Sequence, residues 1–226
     1  MSSIHVQDQS GLLADTFNTN SSRLPSLAEV RRFIPFNYDG DKGRKSFLDF
    51  YPSELVKSSS IRENYTKHSW CILSDDFLNE LRVKISTLFN RQPVVADICA
   101  GGGWLTYWLQ RYGVNVRYCI DNYSWSKVVY NSWVSKGDAI QFVRQIKDVD
   151  LFILSWPYMD DVAYKVVRGM KKGKYLLYIG ESAGGCNAND KFFQYIDKHC
   201  SVDDTVCPSF RSFYGIHDSP WLIYKR

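Results

Sequence analysis

The sequence predicts an α/β domain with a mostly parallel sheet and helices on both faces, and three observations predict it. Short apolar runs alternate with helical patterns from Pro93 onward, the pattern of a parallel sheet covered on both sides. One of these runs passes directly into a glycine-rich turn, Gly101-Gly102-Gly103, and then into a helix start. The 226 residues are 45% hydrophobic and 23% charged, a balance that supports one sizeable core and excludes a disordered chain.

Taken in order, Met1 to about Arg23 is rich in Ser, Asn, Asp and Gln and reads as a poorly ordered arm. A short helix follows over Ser26 to Ile34, opened by Ser26 as its cap and ended before Pro35. Asp39 to Gly43 reads as a turn. A longer helix is capped by Ser74, carries Asp75 and Asp76 at its positive end, repeats Phe77, Leu78, Leu81, Ile85 and Leu88 at helical spacing, and ends before Pro93. The expected strands are Val94–Ile98, Val116–Ile120, Leu151–Leu154, Tyr175–Ile179 and Trp221–Tyr224, with a weaker one near Ser201–Val206. Residues 1–69 are therefore expected to form an arm and cap, partly disordered, and residues 70–226 a ligand-binding domain.

Composition narrows the function classes. Lys and Arg total 28 against 24 Asp and Glu, a net charge of +4, and the positive charges are scattered, which permits an anionic partner without demanding one. The six cysteines form no C-x-x-C pair and no zinc spacing, so reduced core thiols and no metal are expected. No basic region precedes an apolar one at the start of the chain, and no apolar run approaches the ~20 residues of a membrane span. A soluble, cytoplasmic protein without a membrane partner is the expectation.

The chemistry is concentrated in Pro93 to Leu109, which reads as a buried strand, a glycine turn and a helix start. Glycines let the backbone approach a ligand closely, and the free N–H groups of the helix start face it. A second strand ends in Asp121, 20 positions after Gly101 (121 − 101), where a carboxylate can accept ribose hydroxyls. Dinucleotide-binding domains follow similar logic, but their G-x-G-x-x-G pattern started at Gly101 would need glycine at Thr106. Asp97, at the end of the first strand, would repel a pyrophosphate and suit a ligand carrying an ammonium group.

The run Asp97-Ile98-Cys99-Ala100-Gly101-Gly102-Gly103 resembles motif I of class I S-adenosylmethionine-dependent methyltransferases, D-x-G-x-G-x-G, with Cys99 in the first glycine position. The resemblance covers about Pro93 to Arg226 and implies a Rossmann-like seven-stranded sheet with an antiparallel C-terminal strand. It implies S-adenosyl-L-methionine as cofactor, held by Asp97, Cys99, Ala100, Gly101, Gly103, Asp121, Asn122, Asp138 and Ser155. Asp121 matches the ribose-binding acid, and Gly137-Asp138-Ala139 matches a segment whose acid contacts the adenine amino group. Ser155-Trp156-Pro157-Tyr158 resembles the [DNS]-P-P-[YFW] loop of amino-group methyltransferases, with Trp156 in place of the first proline. As catalytic residues these four would hold an amino nucleophile on a planar group; read without the resemblance, they are a strand running into an aromatic turn.

Other residues carry paired readings. His68 and Trp70 precede the helix before motif I, where they can face the substrate, His68 as a base, or serve structure alone. Glu181, in the glycine-containing segment after the fifth strand, can point into the cleft or belong to an ordinary turn. Asp160 and Asp161 read as caps of the next helix. Lys165, Arg168, Lys171, Lys172 and Lys174 read as a helix C-terminus favoured by its dipole, or as a phosphate-contacting edge. Trp104, Tyr107 and Trp108 read as core packing. The implied function is methyl transfer to an acceptor that is a nucleic acid, a protein or a small molecule; a non-catalytic binding or scaffold protein on this fold and an NAD-dependent oxidoreductase are the alternatives.

Overall fold

The computed structural model describes residues 15–31 and 60–226. The expected turn at Asp39 to Gly43 and the end of the first expected helix lie outside these residues. Helix α1 (Leu27–Val30) is opened by a capping box, in which the Ser26 hydroxyl accepts the Glu29 N–H and the Glu29 carboxylate accepts the Ser26 N–H. Residues 60–66 form a further helical segment. Helix α2 (Asp75–Leu88) starts where the Ser74 hydroxyl accepts the Phe77 N–H, and it buries Phe77, Leu78, Leu81 and Ile85. The spacing of those four residues is what turns one face of the helix inward.

From there strands and helices alternate: β1 (Val95–Ile98), α3 (Trp104–Arg111), β2 (Val116–Asp121), β3 (Ser135–Lys136), α4 (Ala139–Gln145), β4 (Leu151–Ser155), α5 (Val162–Gly169), β5 (Tyr175–Glu181), α6 (Asp190–His199), β6 (Cys200–Asp203) and β7 (Asp218–Lys225). They build one seven-stranded sheet in the order β3-β2-β1-β4-β5-β7-β6. The pairs β1–β2, β1–β4, β2–β3 and β4–β5 are parallel. Strand β7 runs antiparallel between β5 and β6, from Tyr175 opposite Tyr224 to Glu181 opposite Asp218. The Rossmann-like, mostly parallel sheet with an antiparallel C-terminal strand is thus present.

Alternation along the strands sorts the core into two layers. Val95, Leu151, Ile153, Leu177, Ile179 and Leu222 face α2 and α3. Ala96, Ile98, Phe152, Leu154, Leu176, Tyr178 and Ile223 face α4, α5 and α6. Because both faces are covered, β1, β4 and β5 are apolar at nearly every position, which is why the sequence shows them as continuous runs. The sixth strand lies at Cys200–Asp203 rather than Ser201–Val206, and β3 escaped the sequence reading because its two residues are polar and exposed.

Residues 15–23, read from composition as the end of a poorly ordered arm, and Leu24 after them pack against the domain. Leu24 is fully buried in the layer of α2 and α3. The Trp108 indole N–H donates to the Thr16 carbonyl at 2.8 Å, and the Tyr107 hydroxyl donates to the Thr19 carbonyl at 2.8 Å. At the other end, the buried Lys225 ammonium donates to the carbonyls of Val167, Arg168 and Met170. It thereby satisfies groups that the end of α5 leaves open. All six cysteines are unbridged, and four of them are buried. Among the described residues, no helix is long and apolar enough to cross a membrane.

Candidate functional site

The chain leaves β1 into a helix on one face of the sheet and leaves the neighbouring β4 into a helix on the other. That divergence opens a crevice at the carboxyl ends of the strands. A cavity of about 600 Å³ lies there, and its lining includes the end of β1, the glycine turn, the end of β2 and the segment after β4.

The glycine turn is tied to β2 through Asp121. One carboxylate oxygen accepts the Gly101 N–H at 2.9 Å, and the other accepts the Tyr123 N–H at 2.8 Å. Each oxygen retains acceptor capacity toward the cavity. Cys99 occupies a left-handed backbone position at φ +69°, strained for any residue with a Cβ, and burial pushes its thiol far up. Cys99, Ala100, Gly101 and Asn122 all line the cavity. Gly103 does not. It sits at the N-terminus of α3 with φ +77°, where a Cβ would come within 2.5 Å of Val134 and 2.7 Å of the Trp133 indole nitrogen. The cavity wall is Gly102 instead, where a Cβ would meet the carbonyl oxygens of His68 at 2.7 Å and Val129 at 3.0 Å. Two segments, one holding residues 66–70 and one holding residues 122–130, therefore close directly over the turn, and the Val129 N–H donates to the Lys67 carbonyl between them.

Asp97 is the most deeply buried acid of the cavity, at 1% exposure. One oxygen accepts the Thr106 hydroxyl at 2.7 Å and the other has no partner. Burial raises its pKa to about 7, partly offset by the Thr106 hydrogen bond. Asp138 caps α4 by accepting the Gln141 N–H and also lines the cavity.

Strand β4 delivers Ser155 to the cavity wall and then turns sharply. Trp156 has φ +51°, and its backbone N–H donates to the Ile179 carbonyl. Its indole N–H donates to the Asp218 carboxylate at 2.8 Å. The Trp156 ring stacks on Trp70 at 4.5 Å and 22°, and Trp70 stacks in turn on Trp125 at 5.4 Å and 20°. Pro157 is buried, with its carbonyl accepting from the Asn187 amide. Tyr158 is exposed at the rim, 6.4 Å from Trp125. His68 also lines the cavity; desolvation holds it below the usual histidine range, and its ring stacks on Phe17 at 4.6 Å.

Glu181 corrects the reading that places it in the cleft. Its carboxylate folds back to accept the N–H groups of Cys186 and His217, and it is not part of the cavity lining. Burial favours its neutral form, but these bonds outweigh burial and leave its pKa lowered. Asp160 accepts the Val162 N–H just ahead of α5, whereas Asp161, at the N-cap position, makes no side-chain cap bond and pairs with Lys191 and Asn189. Both acids, with Lys165, line the cavity mouth. Gly102, inside the glycine turn but not assigned to the site from sequence, and Trp125 and Tyr130 also line the cavity; the signal for the last two was the aromatic density of Tyr123 to Tyr130.

No family model and no curated protein sequence matches the chain. Among solved structures it is similar to human N-acetylserotonin methyltransferase in complex with SAM, at 14% identity over 96% of this chain and 66% of that one, with a TM-score of 0.42. It is similar to precorrin-6y C5,15-methyltransferase from Geobacter metallireducens, at 12% identity over 70% and 93% of the two chains and a TM-score of 0.42. It is also similar to a SAM-dependent O-methyltransferase from Thermotoga maritima, at 12% identity over 73% and 70% and a TM-score of 0.44.

Proposed function

We propose that the chain binds S-adenosylmethionine in this cavity and transfers its methyl group to an acceptor that enters past the tryptophan stack. The observation that carries the reading is the tie between the Gly101 N–H and Asp121 at the floor of the crevice. It fixes a glycine turn and a ribose-accepting carboxylate in one rigid unit.

The residues present fit that cofactor. Asp97 offers a buried oxygen without a partner, suited to an ammonium group. Asp121 keeps lone pairs that would accept ribose hydroxyls, and Asp138, which caps α4 and lines the same cavity, would accept an adenine amino group. The position at which a dinucleotide fingerprint needs glycine carries Thr106, whose buried hydroxyl is committed to Asp97, and this disfavours the NAD reading.

When bound, the sulfonium supplies an activated methyl group with a good leaving group attached. The chain's part is then to orient, to exclude water and to hold charge. Ser155 and the Trp156–Pro157 backbone set the position of the acceptor at the end of β4. The stacked indoles, two of them carried by the two segments that lie over Gly102, keep water from the site.

Calorimetric titration with S-adenosylmethionine and S-adenosylhomocysteine tests the reading. Micromolar binding is expected, weakened by about 1–3 kcal/mol in Asp121→Ala, the range for hydrogen bonds to a charged group. A wild-type protein that binds neither compound overturns it.

A further inference from the structure

Beside the cofactor positions, the cavity has a second character that none of the motifs conveys. Its described lining carries five carboxylates, Asp97, Asp121, Asp138, Asp160 and Asp161, against one lining ammonium, Lys165, 3.9 Å from Asp161, and the Lys191 ammonium that pairs with Asp161 at 3.0 Å from outside the lining. His68 adds no countercharge, because desolvation favours its neutral form. The wall beside Ser155 is aromatic, formed by the Trp125–Trp70–Trp156 stack and the exposed ring of Tyr158. Deep in the lining, the second Asp97 oxygen is buried and unpartnered, and it suits the cofactor's ammonium, so the acceptor faces the acids that remain and the indole wall.

Such a site discriminates among nucleophiles. An acceptor carrying phosphates meets like charge at Asp160, which has no ion pair among the described residues, while Asp161 is paired with Lys191. A hydroxyl or carboxylic acid must become an oxyanion to attack, and neighbouring carboxylates oppose that. A neutral nitrogen needs no such step. Its lone pair forms the new N–C bond while the C–S bond breaks, the bonding electron pair stays on sulfur, and the neutral thioether departs. The positive charge moves from sulfur to nitrogen, so one unit of positive charge faces the same carboxylates and indole faces from start to finish.

We propose that the methyl acceptor is a small planar molecule that attacks through an uncharged ring nitrogen and leaves as an N-methylated cation. This rests on the methyl-transfer reading above, and it excludes nucleic acid as acceptor.

The test uses the full chain saturated with S-adenosylhomocysteine, whose own titration reports separately on the cofactor reading. Three probes of similar shape are titrated by calorimetry: N-methylquinolinium as the cation, 1-methylnaphthalene as the neutral isostere and 1-naphthoate as the anion. The cation is expected to bind about tenfold tighter than the anion and about threefold tighter than the neutral ring. Asp160→Asn, a rim substitution, is expected to narrow the cation-to-anion ratio by about threefold while leaving S-adenosylhomocysteine affinity unchanged. Anion binding equal to or tighter than cation binding overturns the proposal, as does absence of cation binding or micromolar binding of a single-stranded oligonucleotide. Loss of S-adenosylhomocysteine binding instead sinks the cofactor reading.

Discussion

Asp97 is charged only at a cost, because it is buried and one of its oxygens has no partner within the protein. Its folded pKa, raised to about 7 by burial, lies above the unfolded value of 3.8. Between these values the folded chain keeps a proton that the unfolded chain has lost, so its contribution to stability falls as pH rises. Asp97→Asn is therefore expected to stabilise the ligand-free protein at pH 8, by roughly 1–3 kcal/mol. That gain should shrink steadily as pH falls from about 7 toward 4; chemical denaturation across this range measures it, and a gain that grows on acidification contradicts the assignment. Trp156 shows a related economy at the same scale. Its left-handed backbone is held by three restraints: the Ile179 carbonyl, the Asp218 carboxylate and the Trp70 ring. Strain of this kind persists only where the surroundings over-determine it.

At the level of elements, the site depends on how closely two loops cover one turn. Gly102 is required by contact rather than by backbone conformation, because backbone oxygens of both cover segments stand where its Cβ would be. Backbone cannot move aside as a flexible side chain can. Gly102→Ala should lift the cover and weaken S-adenosylhomocysteine binding by about tenfold or more, at a stability cost of about 1–3 kcal/mol. Titration and a denaturation curve on the same sample check both numbers, and unchanged affinity would show that the cover does not form part of the ligand site. Elements also explain what could be read in advance. Strands β1, β4 and β5 are legible because burial on both faces leaves an apolar run, and α2 because Ser74, Asp75 and a helical repeat announce it. Strand β3 was invisible because Ser135 and Lys136 bury nothing.

Over the whole molecule, residues 15–24 dock on the core through Thr16, Phe17 and Leu24. Leu24 is 0% exposed, and Phe17 contacts Tyr65, His68 and Trp104, so residues 15–24 bridge the α3 face of the sheet and a residue of the cavity wall. Leu24→Ala should destabilise the protein by about 2–5 kcal/mol, the cost of a large-to-small change in a packed core. A shift of the denaturation midpoint equivalent to less than 0.5 kcal/mol, as at surface positions, would show that the segment is not docked in solution. Composition hid this docking because Ser, Asn and Asp dominate the segment, while the few apolar residues that anchor it have no periodic pattern.

The sequence by itself determined the layered α/β architecture, the glycine turn and the spacing from Gly101 to Asp121, because these follow from local periodicity and from distances along a strand–turn–helix unit. The tertiary structure alone decided which residues face the cavity. Gly102 rather than Gly103 forms the wall, since the contacting residues of the cover segments, His68 and Val129, lie 34 (102 − 68) and 27 (129 − 102) positions away in sequence. Glu181 turns away from the crevice because the loop through Cys186 and the approach of His217 offer its carboxylate two N–H groups. Trp70, Trp125 and Trp156 come from three separate segments, and no spacing along the chain encodes that they stack. Side-chain direction at strand ends and ring contacts between loops are set by packing, which only the folded chain possesses.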